Sequence, residues 1–293
     1  MIRYFNYILA VPLLAIVVGC DDGLPDSVTA DSSCAAELRT RLNEKAAAEG
    51  GGEGESAQAG PAGYATLKGQ FTFEGDVPTL PQLNITQNAD VCAPGGKPVF
   101  DRDIAVDPAT KGLSNVLIYL DKVSDDWVHE AAKTSDEEVV FDQKACVFLT
   151  RVVAINTSQS LKVLNSDPFG HNLKVKNLNE SIPAGGQTTY QPKKADAVPQ
   201  QMSCSVHPWM KAWFLGRDNS YFAVTKEDGS FEIPNVPAGV KLTVKVWHER
   251  TGPISGEVMV NSQPEKWKKG KLTMNIEPDS TSELNVVLNA SMF

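Results

Sequence analysis

The chain has 293 residues, 42% hydrophobic and 22% charged, an ordinary composition for a globular protein with room for two modest domains. Its 27 basic residues stand against 36 acidic ones, a formal net charge of −9. That balance excludes the electrostatic footprint of a nucleic-acid binder, so no nucleic acid is expected among the partners.

Residues 1–19 read as a signal peptide: Arg3 precedes the apolar run "ILAVPLLAIVV" (8–18), which is too short to span a membrane as a mature helix. The following "VVGC" sets small Gly19 before Cys20 and resembles the bacterial lipobox. This implies lipidation at Cys20 and a membrane partnership through that anchor, on the periplasmic side of a bacterial cell envelope. Cleavage there leaves 26 bases against 36 acids, so the mature chain is acidic.

Residues 20–63 are expected to form a flexible tether, because "AAAEGGGEGESAQAGPAG" (46–63) offers little apolar surface to bury. A short helix over 32–48 is the one element expected within it. From residue 64 the texture changes to short alternating runs broken by Gly, Pro, Asn and Asp, which predicts an all-β fold built from sandwiches.

In chain order, "TLKGQFTFEG" (66–75) places Leu67, Phe71 and Phe73 on one face, and "NVLIYL" (115–120) is a continuous apolar run suited to a strand buried on both sides. "KVLNSDPFGHNLKV" (162–175) begins as a strand and passes through a turn before His171. "EDGSFEIPNVPAG" (227–239) joins an Asp-Gly turn, a strand through Phe231 and Ile233, and a Pro-Ala-Gly turn. "KLTVKVWHE" (241–249) alternates Leu242, Val244 and Val246 with polar residues, as "ELNVVLN" (283–289) does with Leu284, Val286 and Leu288.

The chemistry concentrates in "SCSVHPWMKAWFLG" (203–216), where Cys204, His207 and Met210 follow a C-x2-H-x2-M spacing that one loop can wrap around a single ion. An electron-transfer copper takes a thiolate and two imidazoles, with a weak thioether on the axis. The missing imidazole is assigned to His171, and Asn172 beside it is expected to bond across to the ligand loop and fix that ring. Singly, a buried Cys, Met or His is ordinary packing. Jointly they point to metal, and the methionine favours copper over zinc, whose sites use Cys, His, carboxylate or water.

"GHN" followed about thirty residues later by "CSVHPWM" resembles the cupredoxin family, with a short ligand loop similar to that of the amicyanins. The resemblance implies one type 1 copper held by His171, Cys204, His207 and Met210. It also implies an electron-transfer surface at His207, Pro208 and Trp209, and a redox protein such as a cytochrome or quinoprotein as donor or acceptor. Enzymes built on such units need further histidines, commonly in His-x-His pairs. This chain has four histidines and no such pair, so a carrier is expected and not a catalyst. His129 is expected at the surface and His248 at a strand end.

Five cysteines remain to be distributed in an exported chain where disulfides form. With Cys20 assigned to lipid, Cys34 in the polar leader and Cys204 in the ligand loop, Cys92 and Cys146 remain as a candidate pair.

The flanking stretches "GYATLKGQFTFEG", "GLSNVLIYL" and "YFAVTKEDGSFEIPNVPAGVKLTVKVWHE" resemble the carboxypeptidase regulatory-like, transthyretin-type sandwich. The whole is similar to bacterial methylamine-utilisation-like secreted proteins. The fold expected is a cupredoxin-like Greek-key sandwich at 137–216, packed with or inserted in a discontinuous regulatory-like sandwich at 64–122 plus 219–293. Two consecutive sandwiches are the alternative. Functionally, the expectation is a membrane-anchored periplasmic protein passing single electrons. The alternatives are a copper-delivery lipoprotein without redox turnover, and a non-metal β-sandwich interaction protein.

Overall fold

Alternation of apolar and polar residues, with turn formers between, produces strands throughout residues 60–293, the part of the chain that the computed structural model describes. The signal sequence, Cys20, Cys34, the helix expected over 32–48 and nearly all of the tether lie outside the described residues.

The strands fall in chain order as follows. β1 (Gly63–Glu74) and β2 (Leu117–Leu120) come first. Nine follow without interruption by another sheet: β3 (Val139–Lys144), β4 (Val147–Phe148), β5 (Val152–Asn156), β6 (Leu161–Asn165), β7 (His171–Val175), β8 (Leu178–Ile182), β9 (Gln187–Tyr190), β10 (Gln200–Ser203) and β11 (Lys211–Arg217). The rest are β12 (Phe222–Val224), β13 (Ser230–Ala238), β14 (Lys241–His248), β15 (Gly252–Pro253), β16 (Gly256–Val260), β17 (Gln263–Trp267), β18 (Lys271–Asn275), β19 (Thr281–Glu283) and β20 (Val286–Asn289). Two one-turn helices, α1 (Ala89–Cys92) and α2 (Glu130–Lys133), sit in the long connections around β2.

Strands β3 to β11 close on themselves as two sheets, ordered β4-β3-β6-β9 and β5-β11-β10-β7-β8. The pairs β3/β6 and β5/β11 are parallel and the others antiparallel, the mixed connectivity of a Greek-key sandwich. Phe141, Leu161, Val163, Leu173, Met202 and Phe214 fill the space between them. The remaining strands form a second pair of sheets, β13-β1-β20-β16-β17 with β19 beside β1, and β12-β2-β14-β15 with β18 beside β14. Their core takes Leu67, Phe71, Phe73, Leu242, Val244, Val246, Leu284, Val286 and Leu288, the faces that the alternation assigns to the interior.

The continuous run in β2 has a direct cause. Ile118 and Leu120 point into the core of their own sandwich, whereas Leu117 and Tyr119 pack with Val152, Leu215 and Trp247, residues of β5, β11 and β14. Every residue of β2 is therefore buried, at roughly 1.5–3 kcal/mol for each large side chain taken from water. Trp213 and Trp247 meet edge to face at 4.9 Å in the same layer. Arg151 spans it too, with two nitrogens on the Glu249 carboxylate at 2.6–2.8 Å and an ion pair to Asp101 at 2.8 Å. β1 is flanked at its centre by β13 and β19, so Gly69 has no room for a side chain: a Cβ there would lie 1.9 Å from the Leu284 carbonyl oxygen.

One part of the first flanking stretch packs elsewhere than its position suggests. Leu83, Ile85, Val91 and Cys92 join the core of the β3–β11 sandwich, so the connection after β1 crosses to cover it.

Candidate metal centre

The ligand loop is the turn between β10 and β11. Ser203 pairs with Lys211, which leaves residues 204–210 as the hairpin connection. The Met210 N–H donates to the His207 carbonyl at 2.9 Å and closes a tight turn within it. β10 also pairs with β7, setting Ser203 opposite Lys174 and bringing Cys204 against His171, the first residue of β7.

His171, Cys204 and His207 are all buried, and one ligand atom from each lies within 4.8 Å of the others. The Cys204 Sγ is 3.8 Å from His171 Nδ1, and the two Nδ1 atoms are 2.9 Å apart. Bonds of about 2.0 Å to nitrogen and 2.3 Å to sulfur place donors roughly 3–4 Å apart around a shared ion, so these three fit one metal. Met210 is buried on the same turn, within the same core.

The chemistry of the donors fits as well. Cys204 Sγ accepts from the backbone N–H groups of Asn172 and His207, each at 3.4 Å. Burial alone would push the thiol up, yet the neighbouring His171 and these N–H groups outweigh it and draw it below its ordinary value. Burial likewise disfavours charge on His171, but Cys204 and Asp167 raise its pKa. His207 moves the other way, lowered by burial and by His171 beside it. The shifts of the sulfur toward thiolate and of His207 toward neutral are in the direction a soft metal requires; His171 runs the other way because Cys204 and Asp167 favour its charged form.

Both imidazoles are held from behind. His171 Nε2 is 2.7 Å from the Asp167 carboxylate, and His207 Nε2 is 3.0 Å from Asn88 Oδ1. Oxygen acceptors at both Nε2 atoms place the ring protons there and leave the Nδ1 lone pairs facing each other and the sulfur. Phe169 packs against both rings, at 5.3 and 5.4 Å between centroids.

Asp167 is itself fixed by a tight turn. Ala145 and Cys146 form the two-residue connection of the β3–β4 hairpin, with φ of 52° and 58°, the left-handed conformation such turns favour. Their successive N–H groups converge on the Asp167 carboxylate at 2.7 and 2.9 Å, a backbone cradle for an anion. Cys146 also forms a disulfide with Cys92, at a Cα separation of 5.1 Å. The disulfide fastens α1, and the adjacent Asn88, over His207.

Several expectations are corrected by this geometry. His207 has no exposed surface and Trp209 only 8%, so of the expected electron-transfer surface Pro208 alone is exposed. The reason is the segment ending in α1, which covers the outer edge of His207. Trp209 turns inward, meets His207 edge to face at 5.1 Å and donates its indole N–H to the Cys146 carbonyl at 3.1 Å. Asn172 does reach the ligand loop, its Oδ1 accepting from the Ser205 N–H. The group that fixes the His171 ring, however, is Asp167. His129 is half-buried and caps α2 by accepting from the Ala131 N–H at 3.1 Å. His248 does end β14, as expected; it is buried, and no cluster of metal donors among the described residues includes it.

Comparison with known proteins finds no matching family model and no matching curated protein. Among solved structures the chain is similar to amicyanin from Paracoccus versutus, at 17% identity over 34% of this chain and 97% of that one, with a TM-score of 0.25. It is similar to a purple cupredoxin from Nitrosopumilus maritimus, at 14% identity over 28% of this chain and 99% of that one, TM-score 0.24. It is also similar to a copper-containing nitrite reductase from Thermus scotoductus, at 17% identity over 28% of this chain but only 23% of that one, TM-score 0.25.

Proposed function

We propose that the β3–β11 sandwich holds one type 1 copper through His171, Cys204, His207 and Met210, and that the chain passes single electrons between redox proteins. The observation that carries this reading is the convergence of the Cys204 sulfur and one ring nitrogen from each of His171 and His207 within 4.8 Å, with each Nε2 beside an oxygen acceptor. Copper, when bound, supplies a one-electron couple between Cu(I) and Cu(II). The residues keep the donors still: the Asn172 and His207 N–H groups hold the sulfur, Asp167 and Asn88 hold the rings, and the surrounding core excludes water. Donors that hardly move between oxidation states lower the rearrangement accompanying each transfer.

The signal-like start and Cys20 support a lipid-anchored protein of the cell envelope that meets its donor or acceptor, a cytochrome or quinoprotein, at the membrane surface. The flanking sandwich is read as a carboxypeptidase regulatory-like partner module to the copper unit.

A second reading, copper storage or delivery without turnover, draws support from the covered edge of His207, which removes the exposed imidazole through which electrons would pass. Adding Cu(II) to the full chain in detergent tests the centre. An intense blue thiolate charge-transfer band is expected, absent in Cys204→Ser and in His171→Ala. A colourless wild type would sink the type 1 assignment. A reversible one-electron potential with fast exchange then favours the carrier, and copper transfer to an acceptor favours delivery.

A further inference from the structure

Behind His207 lies a second group of soft donors. One ligand atom each from Cys92, Cys146 and His207 lies within 4.8 Å of the others, and all three residues are buried. Their arrangement does not depend on Cys204. The two sulfurs are joined to each other, and oxidised sulfur is a poor ligand, so the group is closed to metal while the disulfide stands.

Neither cysteine is locked in a sheet. Cys92 ends the four-residue α1, and Cys146 sits in the two-residue turn between β3 and β4. Cys92 also lines a cleft of about 580 Å³ whose wall includes Phe100, Leu149, Trp209 and Met210. A small dithiol entering that cleft reaches the disulfide from the side of α1.

We infer that Cys92, Cys146 and His207 form a second, redox-gated site for a soft monovalent metal, Cu(I), that opens when the disulfide is reduced. A dithiol reductant gives two electrons and two protons to the disulfide, becoming a disulfide itself and leaving two thiols. Cu(I) then displaces both thiol protons to solvent, and the His207 Nε2 proton as well where Nδ1 already serves the first centre, and is held by two thiolates and that ring nitrogen, a ligand set suited to a soft ion. The inference rests on the copper reading only through the shared imidazole of His207. It gives the chain a way to take up or surrender a second Cu(I) according to the redox state around it.

The test is Cu(I) titration of the full chain in detergent against a chromophoric chelator, without oxygen, before and after reduction with dithiothreitol and its removal. Tight Cu(I) is expected to rise from about one to about two per chain on reduction. Cys204→Ser is expected to bind none when oxidised and about one when reduced, which reads the second site without the first. In that background His207→Ala is expected to weaken the reduced site by about tenfold. The Cys92→Ser/Cys146→Ser variant is expected to show no change on reduction. Reduced Cys204→Ser that binds no Cu(I) would overturn the site, and an affinity indifferent to His207→Ala would overturn the three-ligand assignment. The count in oxidised wild type reports on the first centre alone, so failure of either is distinguishable.

Discussion

Asn88 Oδ1 and His207 Nε2 are hydrogen-bonded at 3.0 Å across 119 residues of sequence. The contact joins the connection after β1 to the ligand loop of the other sandwich, and it covers the one imidazole edge that would otherwise face solvent.

Replacing Asn88 with alanine removes both the acceptor and part of that cover. The copper chromophore is expected to persist, because no proposed ligand is lost, while the rate of oxidation by ferricyanide rises by about tenfold as His207 becomes accessible. Stopped-flow absorbance measures it. An unchanged rate would mean that electrons enter elsewhere, for instance through Pro208 or the cleft beside Met210.

Asp167 does two jobs at once, accepting from His171 and from the Ala145–Cys146 turn. Asp167→Asn keeps the shape but weakens its acceptance from His171 and presents N–H groups to the turn's own donors. Copper affinity is expected to fall by about 10- to 100-fold, the cost typical of losing a group that orients a metal-bound histidine. Competition titration reads the change, and wild-type affinity would remove Asp167 from the centre.

His248 is buried with its Nε2 unpartnered, and burial followed by repulsion from Arg250 and Arg151 lowers its pKa from 6.5 to about 3. The folded chain thus resists a proton that the unfolded chain accepts below pH 6.5. The stability associated with neutral His248 is fully present above pH 6.5 and is lost as pH falls from there toward 3. The loss approaches roughly 5 kcal/mol over the whole window. Chemical denaturation of wild type and His248→Leu at pH 7.5, 6 and 5 checks this: the wild-type midpoint should fall more steeply.

Arg151 holds Glu249 across the layer between the sandwiches, and the Glu249 side chain is only 6% exposed. Arg151→Met strands that carboxylate without its partner, with Asp101 close by. An expected loss of about 3–5 kcal/mol follows from leaving one buried charge unpaired. Arg151→Met/Glu249→Gln should recover much of it. Urea denaturation curves compare the two, and equal stability of single and double variants would reduce the clasp to a surface pair.

The regular strands were legible because their cause is local. A period of two fixes which side of β1, β14 and β20 is apolar wherever the chain runs. Likewise Cys204, His207 and Met210 were visible as candidate donors because seven residues of one hairpin connection carry them. Asp167 lies only four residues before His171, but in "NSDPFGH" it reads as a turn former, and its role appears only when the β3–β4 turn aims two N–H groups at it.

What the sequence by itself determined is the all-β character, the apolar faces and which residues are candidate donors, since propensity, periodicity and ligand chemistry belong to neighbouring residues. Tertiary structure alone decided that Val152, Leu215 and Trp247 cover the second face of β2, that Asn88 and the Cys92–Cys146 disulfide lie over His207, and that Trp209 turns inward. Those facts depend on which surface each strand and loop meets, and a meeting 119 residues away leaves no mark on local pattern.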